Sequence, residues 1–152
     1  MRAVVQRVTS ASVQISGEPI AAIGPGLCVL LGIQKEDTAE QAIVLAKRIA
    51  FLRVFNNNEG RLEKSVLDVC GSVLVVSQFT LAANTEKGNR PSFSEAADQN
   101  AARTLYDLFV IELERFELNV QTGHFGSDML VEIMNDGPVT LVVDQTIPQA
   151  GF

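Results

Sequence analysis

The sequence predicts an α/β fold: a β-rich domain with one curved mixed sheet, or partial barrel, and two main helices. Three observations carry that expectation. Runs of β-branched and other apolar residues occupy the first third, the middle and the end of the chain; two stretches between them carry apolar residues at helical spacing; and no linker, low-complexity stretch or internal repeat divides the whole.

The elements follow in order. Residues 2–8 and 11–15 alternate apolar and polar side chains, Gly17, Glu18 and Pro19 turn the chain, and residues 20–23 form a further strand. Residues 27–33 are apolar enough for a central strand buried on both faces. Thr38, followed three residues on by Gln41, matches a capping box. Behind it Ala42, Leu45, Ala46, Ile49, Ala50 and Leu52 or Arg53 trace one face of a helix. That helix, placed after the fourth or fifth strand, is predicted to end near Phe55, where residues 56–60 make a turn. Residues 72–79, SVLVVSQF, read as a second strand covered on both faces. A polar loop over 81–91 leads to a helix from about Ser94 to Leu118. Its inner stripe is Ala102, Leu105, Leu108, Phe109, Leu113 and Phe116, with Arg103, Asp107, Glu112 and Glu114 in water. Residues 123–126 form a loop, and residues 129–134 and 139–143 a closing hairpin.

Composition narrows the function. A chain of 152 residues fits a single domain over 1–152, with 145–152 as a C-terminal tail. Hydrophobic residues at 47% and charged residues at 20% indicate a packed globule, not a disordered chain. The N-terminal stretch is broken by Gln6 and Arg7 and lacks a signal peptide's apolar core. Apolar runs fall well short of the ~20 residues a membrane helix needs, so a cytoplasmic protein with no membrane partner is expected. Cys28 and Cys70 sit in apolar contexts without CxxC spacing and read as buried, reduced thiols. With one histidine besides, neither a metal nor a cofactor is expected. The net charge of -6 is awkward for a nucleic-acid partner unless only a small end of one is gripped.

The usual constellations are missing. His124, the sole histidine, lies in TGHFGSD and reads as an exposed loop residue; the acids cluster on helix surfaces and in turns; no phosphate-binding glycine loop follows a strand. Backbone groups and the substrate itself are left to supply the chemistry. Three polar stretches interrupt apolar runs: Ser77-Gln78-Phe79-Thr80, the loop from Lys87 through Arg90 to Phe93, and Phe125-Gly126-Ser127-Asp128-Met129. Each has an ordinary reading, as a strand end, a solvated loop and a core plug. A fourth feature is Asn135-Asp136-Gly137-Pro138. The first three residues already make a turn, so the proline either punctuates that turn or works with Gly137 as a functional pair.

Together, QRV near the start, SQFTLAANTEKGNRPSF in the middle and GHFGSDMLVEIMNDGPVT at the end resemble the D-aminoacyl-tRNA deacylases, the D-tyrosyl-tRNA(Tyr) deacylase family, over nearly the whole chain. The resemblance implies hydrolysis of the ester joining a D-amino acid, or glycine mischarged on tRNA(Ala), to the terminal adenosine of tRNA. It implies a metal-free homodimer with its active sites at the subunit interface, acting on the 3′ end of aminoacyl-tRNA and not on DNA. Gly137 and Pro138, joined by a cis peptide and steadied by Arg7, would reach into the partner's pocket and exclude L side chains. Ser77, Gln78, Phe79 and Thr80 would wrap the ester as the catalytic segment, with backbone N–H groups holding the oxyanion. Phe125, Gly126 and Met129 would line the adenosine slot, and Lys87 and Arg90 would touch phosphates. Thr80 has no adjacent base in the sequence, so the ribose 2′-hydroxyl is expected to assist instead. Two alternatives stay open: an editing enzyme with a trans Gly-Pro that removes small L-amino acids such as L-alanine, and a non-catalytic tRNA-binding domain of the same fold.

Overall fold

The computed structural model describes residues 1–146. Its spine is β1, Arg2–Ile15, one continuous strand where two were expected. A turn at Ser16-Gly17 leads to β2, Glu18–Ile23, and then to β3, Gly26–Gly32. Pro19 lies inside β2, not in the turn, and the ladder accommodates it with a register shift between Val13 and Gln14 of β1. β3 pairs antiparallel with the first half of β1, and β2 with the second half.

Helix α1, Ala39–Ala50, starts at Thr38 as its spacing predicts. The Thr38 N–H donates to the Gln41 side-chain oxygen at 2.7 Å. It stops at Phe51, earlier than the expected Phe55, because Phe55–Asn56 (β4) and Leu62–Lys64 (β5) form a small hairpin around the 57–60 turn. β6, Ser72–Ser77, lies parallel to β3, and Phe79–Ala82 forms a 3-10 turn where further strand was expected. Helix α2 spans Gln99–Glu114, several residues shorter at each end than its periodicity suggested. Asp98 caps it by accepting from the N–H groups of Asn100 and Ala101 at 3.0 and 3.1 Å, a stronger start signal than Ser94 provides. Glu112, expected in water, is buried and paired with Arg115 at 2.6 Å. A short strand, β7 (Asn119–Thr122), extends the sheet parallel to β6.

The largest correction concerns the C-terminal hairpin. Residues 130–144 are one strand, β8 (Leu130–Asp144), antiparallel to β1 along its whole length. Asn135 pairs with Val8 and Thr140 with Gln6, so residues 136–139 stand opposite Arg7 alone; Asp136, Gly137 and Pro138 bulge outward, and Val139 turns back into the core. Asn-Asp-Gly-Pro thus turns no corner; it makes an excursion within one strand. Gln145 and Thr146 follow it, and the remainder of the expected tail lies outside the described residues.

The strands form a mixed sheet in the order β2-β1-β3-β6-β7, with β8 beside β1. Both parallel connections carry a helix, and α1 and α2 pack together on one face. Alternate residues of the central strands feed two cores. Leu27, Val29, Leu31, Val73 and Val75 join Leu45, Ile49, Phe109 and Leu113 beneath the helices. Cys28, Leu74 and Val76 point the other way and meet Val13, Ala21 and Ile23, over which the sheet curls. Burying each such side chain contributes roughly 1.5–3 kcal/mol. Burial pushes the Cys28 thiol up to about 11. Cys70, expected to be buried, is exposed in a turn. No helix among the described residues is long and apolar enough to cross a membrane.

The β3–β6 contact leaves no room at its start. A Cβ on Gly26 would sit 1.8 Å from the carbonyl oxygen of Ser72, which belongs to the backbone and cannot swing aside. Gly26→Ala is predicted to destabilise the fold by about 3 kcal/mol or more, read as a lowered urea midpoint.

Candidate functional site

The carboxyl ends of β3 and β6 open onto a cavity of about 560 Å³, within the range of small-molecule sites. It lies where strands of a mixed sheet end beneath a helix. Leu31 and Ile33 supply one wall, Val76 to Thr80 another, Gln99, Ala102 and Tyr106 of α2 a third, and Phe125 to Met129 with Val131 the last. Ser77, Gln78, Phe79, Thr80, Phe125, Gly126 and Met129 are thereby brought together.

The 3-10 turn owes its position to Gly32. A Cβ there would meet Leu81 Cβ at 2.8 Å and the Gln78 carbonyl oxygen at 3.0 Å, so only glycine lets the turn close over the end of β3. The Gln78 N–H continues the ladder to the Leu31 carbonyl at 2.8 Å, and Leu81 donates back to Gln78 at 3.2 Å. Phe79 and Thr80 stand between these two donors. Among the described residues neither of their N–H groups finds an acceptor, the ordinary condition of the first donors of a helical turn. Two adjacent backbone donors at the wall of an apolar cavity can hold a developing negative oxygen. The Gln78 side-chain amide donates to Thr80 Oγ1 at 2.5 Å, and among the described residues no histidine or carboxylate hydrogen-bonds that hydroxyl. Phe79 is 60% exposed, its ring edge-on to Phe93 of the following loop at 5.2 Å between centroids.

Tyr106 is a cavity residue that the sequence concealed. It lies on the inner stripe of α2, where an aromatic reads as core, and its one signal is a polar tip among apolar neighbours. Its hydroxyl donates to the Val75 carbonyl at 2.8 Å, fastening α2 to β6, and burial raises its pKa above the usual phenol value. Its ring meets Phe125 at 5.5 Å, so the tyrosine also props the loop that closes the cavity. Gln99, the first residue of α2, was likewise unforeseen, and the end of its side chain lies close to Gly126.

Other expected site residues lie elsewhere. Lys87 and Arg90 are exposed on the loop bracketed by the Asn84–Ser92 pair and do not line the cavity. Arg7, Gly137 and Pro138 are also outside it. Arg7 is only 6% exposed. Its guanidinium donates to the Val54 carbonyl at 2.7 Å and to the Asp136 carbonyl at 3.3 Å, and pairs with the Asp136 carboxylate at 2.9 Å. Asn135 completes the anchor by donating to the carbonyls of Arg7 and Val139 at 3.0 and 3.1 Å. Gly137 and Pro138, linked by a cis peptide, project from this anchor into solvent. His124 is exposed on the loop before Phe125. Among the described residues no group of three or more His, Cys, Asp and Glu could hold a metal ion.

The family model for D-Tyr-tRNA(Tyr) deacylase matches residues 4–144. A D-aminoacyl-tRNA deacylase of Chloroflexus aurantiacus is 54% identical over 144 residues, covering 95% of this chain and 90% of that protein. A solved structure described as c-Myc DNA Unwinding Element Binding Protein superposes with a TM-score of 0.90 at 46% identity, covering 97% of this chain and all of that one. A second, described as a probable eukaryotic D-amino acid tRNA deacylase, shares the fold at a TM-score of 0.80 and 16% identity, over 93% and 97% of the two chains. Family model and relatives span nearly the whole domain, and the chain belongs to the D-Tyr-tRNA(Tyr) deacylase family of enzymes.

Proposed function

We propose that the protein hydrolyses the ester of D-aminoacyl-tRNA, and of glycyl-tRNA mischarged on tRNA(Ala), releasing the free amino acid and tRNA in the cytoplasm. The observation that carries this reading is the pair of unpartnered N–H groups at Phe79 and Thr80, on the wall of a cavity that also holds an aromatic loop. The terminal adenine packs against Phe125, Gly126 and Met129, which places its ribose ester beside residues 77–80. Water adds to the ester carbonyl, the two N–H groups take up the charge on its oxygen, and the bond to the ribose oxygen breaks as that oxygen gains a proton. One such donor contributes roughly 10²–10³ in kcat. The Thr80 hydroxyl already accepts from Gln78 and has no base beside it, which favours assistance by the ribose 2′-hydroxyl.

Enantiomer choice falls to Gly137 and Pro138 of a partner protomer in a homodimer whose active sites lie at the interface. Two features support that role: the pair stands exposed and apart from its own chain's cavity, yet Arg7 and Asn135 hold its base rigidly. Backbone oxygens presented to the substrate's α-carbon accept from its ammonium and exclude an L side chain, while a D side chain points to water. Each ~1.4 kcal/mol of clash rejects the L ester about tenfold more. Lys87 and Arg90 contact phosphates of the tRNA end. The name of the 46%-identical relative raises a second reading, DNA binding; the net charge of -6 disfavours it, since a duplex needs a broad basic face.

D-tyrosyl-, glycyl-, L-tyrosyl- and L-alanyl-tRNA, assayed side by side, test the proposal. The first two should be cleaved and the L esters spared by about 100-fold or more, the equivalent of about 2.7 kcal/mol. Preferential cleavage of L-alanyl-tRNA would favour the editing alternative, and binding without turnover the non-catalytic one. On tRNA ending in 2′-deoxyadenosine, kcat should fall by about 100-fold or more, while Thr80→Ala should retain measurable turnover. An inactive but folded Thr80→Ala would make its hydroxyl the nucleophile. Gly137→Ala tests the cross-protomer filter. An added Cβ meets nothing nearer than Asn135 Oδ1 at 3.8 Å within its own chain, so the fold should keep its urea midpoint. Activity should nevertheless fall at least about tenfold, because the methyl group would enter the partner's cavity.

A further inference from the structure

A second groove, of about 720 Å³, adjoins the candidate site and shares two of its walls, Tyr106 and Phe125. Its other walls are the outer face of α2, with Arg103, Asp107, Val110 and Ile111, and the end of β7 running into His124. We propose that this groove binds the nucleotide immediately 5′ of the terminal adenosine. The inference rests on the functional reading above and names the next subsite along the same strand.

The shared Phe125 is the reason for the placement. Its ring stands between the two spaces, so a strand whose last base lies on the cavity side has its preceding residue on the groove side. There the guanidinium of Arg103 lies 5.7 Å from the centre of the Phe125 ring. A cation so placed serves the two needs of a single-stranded nucleotide: a positive partner for the phosphodiester and a flat surface for the base. The chemistry beside it suits a base as well. Val110 and Ile111 offer apolar contact, and Ile111 is 47% exposed with nothing covering it. Asp107 offers acceptor oxygens for an exocyclic amine and lies 3.7 Å from Arg103 Nε, too long for a hydrogen bond. Arg103 lines the groove in an exposed ion pair with Asp107, and among the described residues its guanidinium donates no hydrogen bond. Such a subsite also accommodates the acidic balance of the chain. One cation at the position of one phosphate does what a duplex-binding protein needs a whole face to do.

The test compares three D-tyrosyl esters: of adenosine, of the dinucleotide CpA, and of full-length tRNA. In the unaltered protein the step from adenosine to CpA should raise kcat/KM about tenfold, through KM. In Arg103→Gln that gain should shrink below about twofold, and Arg103→Lys should restore part of it, because charge returns without the planar guanidinium. The slope of log KM against log salt for the tRNA ester should also fall by about 0.7 in Arg103→Gln, the amount one single-strand phosphate contact contributes. No gain from the added nucleotide, or an equal gain in Arg103→Gln, would overturn the subsite while leaving the hydrolysis reading intact. Failure of the unaltered protein to cleave any of the three esters would overturn that reading, and this one with it.

Discussion

The antiparallel ladder between β1 and β8 is the constraint on which the remaining structure depends. β1 is shared by three partners: β3 takes its first half, β2 its second, and β8 runs beside both. One strand thus carries all three ladders, and the curl of the sheet encloses the second core around Val13, Ile23 and Leu74. The parallel strands β3 and β6 extend the sheet away from this spine and end together at the cavity. The spine thereby fixes both the floor of the site and the place where the Asp136–Pro138 excursion leaves the sheet.

The candidate site is marked by a shortage as much as by an arrangement. Among the described residues the cavity is lined by no histidine, and its tyrosine is committed to the Val75 carbonyl. Asp128 and the hydroxyls of Ser77, Thr80 and Ser127 also line it, together with two main-chain donors set by the geometry of a tight turn. Such donors cost no side-chain entropy and lose no charge with pH. Turn geometry, in turn, is secured by a glycine in the neighbouring strand. The position of Phe79 and Thr80 is thus written at Gly32, in the strand beneath them.

Much of this was legible in the chain. The capping box at Thr38, the central strands with apolar residues at nearly every position, and the sharp change from SVLVV to SQFT gave sound guides to α1, to β3 and β6, and to one wall of the cavity. Three things were hidden, each for a physical reason. Period-two alternation cannot tell two paired strands from one strand with an outward loop, and Asn-Asp-Gly chemistry suits both; hence β8 read as a hairpin. β7, NVQT, is too short and polar to register as a strand at all. Tyr106 and Gln99 belong to the site only because α2 lies across the strand ends, and helical spacing records which face is buried without recording what it covers.

The anchoring of the Gly137-Pro138 excursion carries a consequence for assembly. Arg7 ties Asp136 to the carbonyl of Val54, the residue leading into β4, while Asn135 ties both flanks of the excursion to the spine. The base of the tip is therefore fastened to the sheet before any contact is made. Any surface that receives it meets a shape fixed beforehand, and the entropic charge usually levied on a loop at docking has already been met during folding.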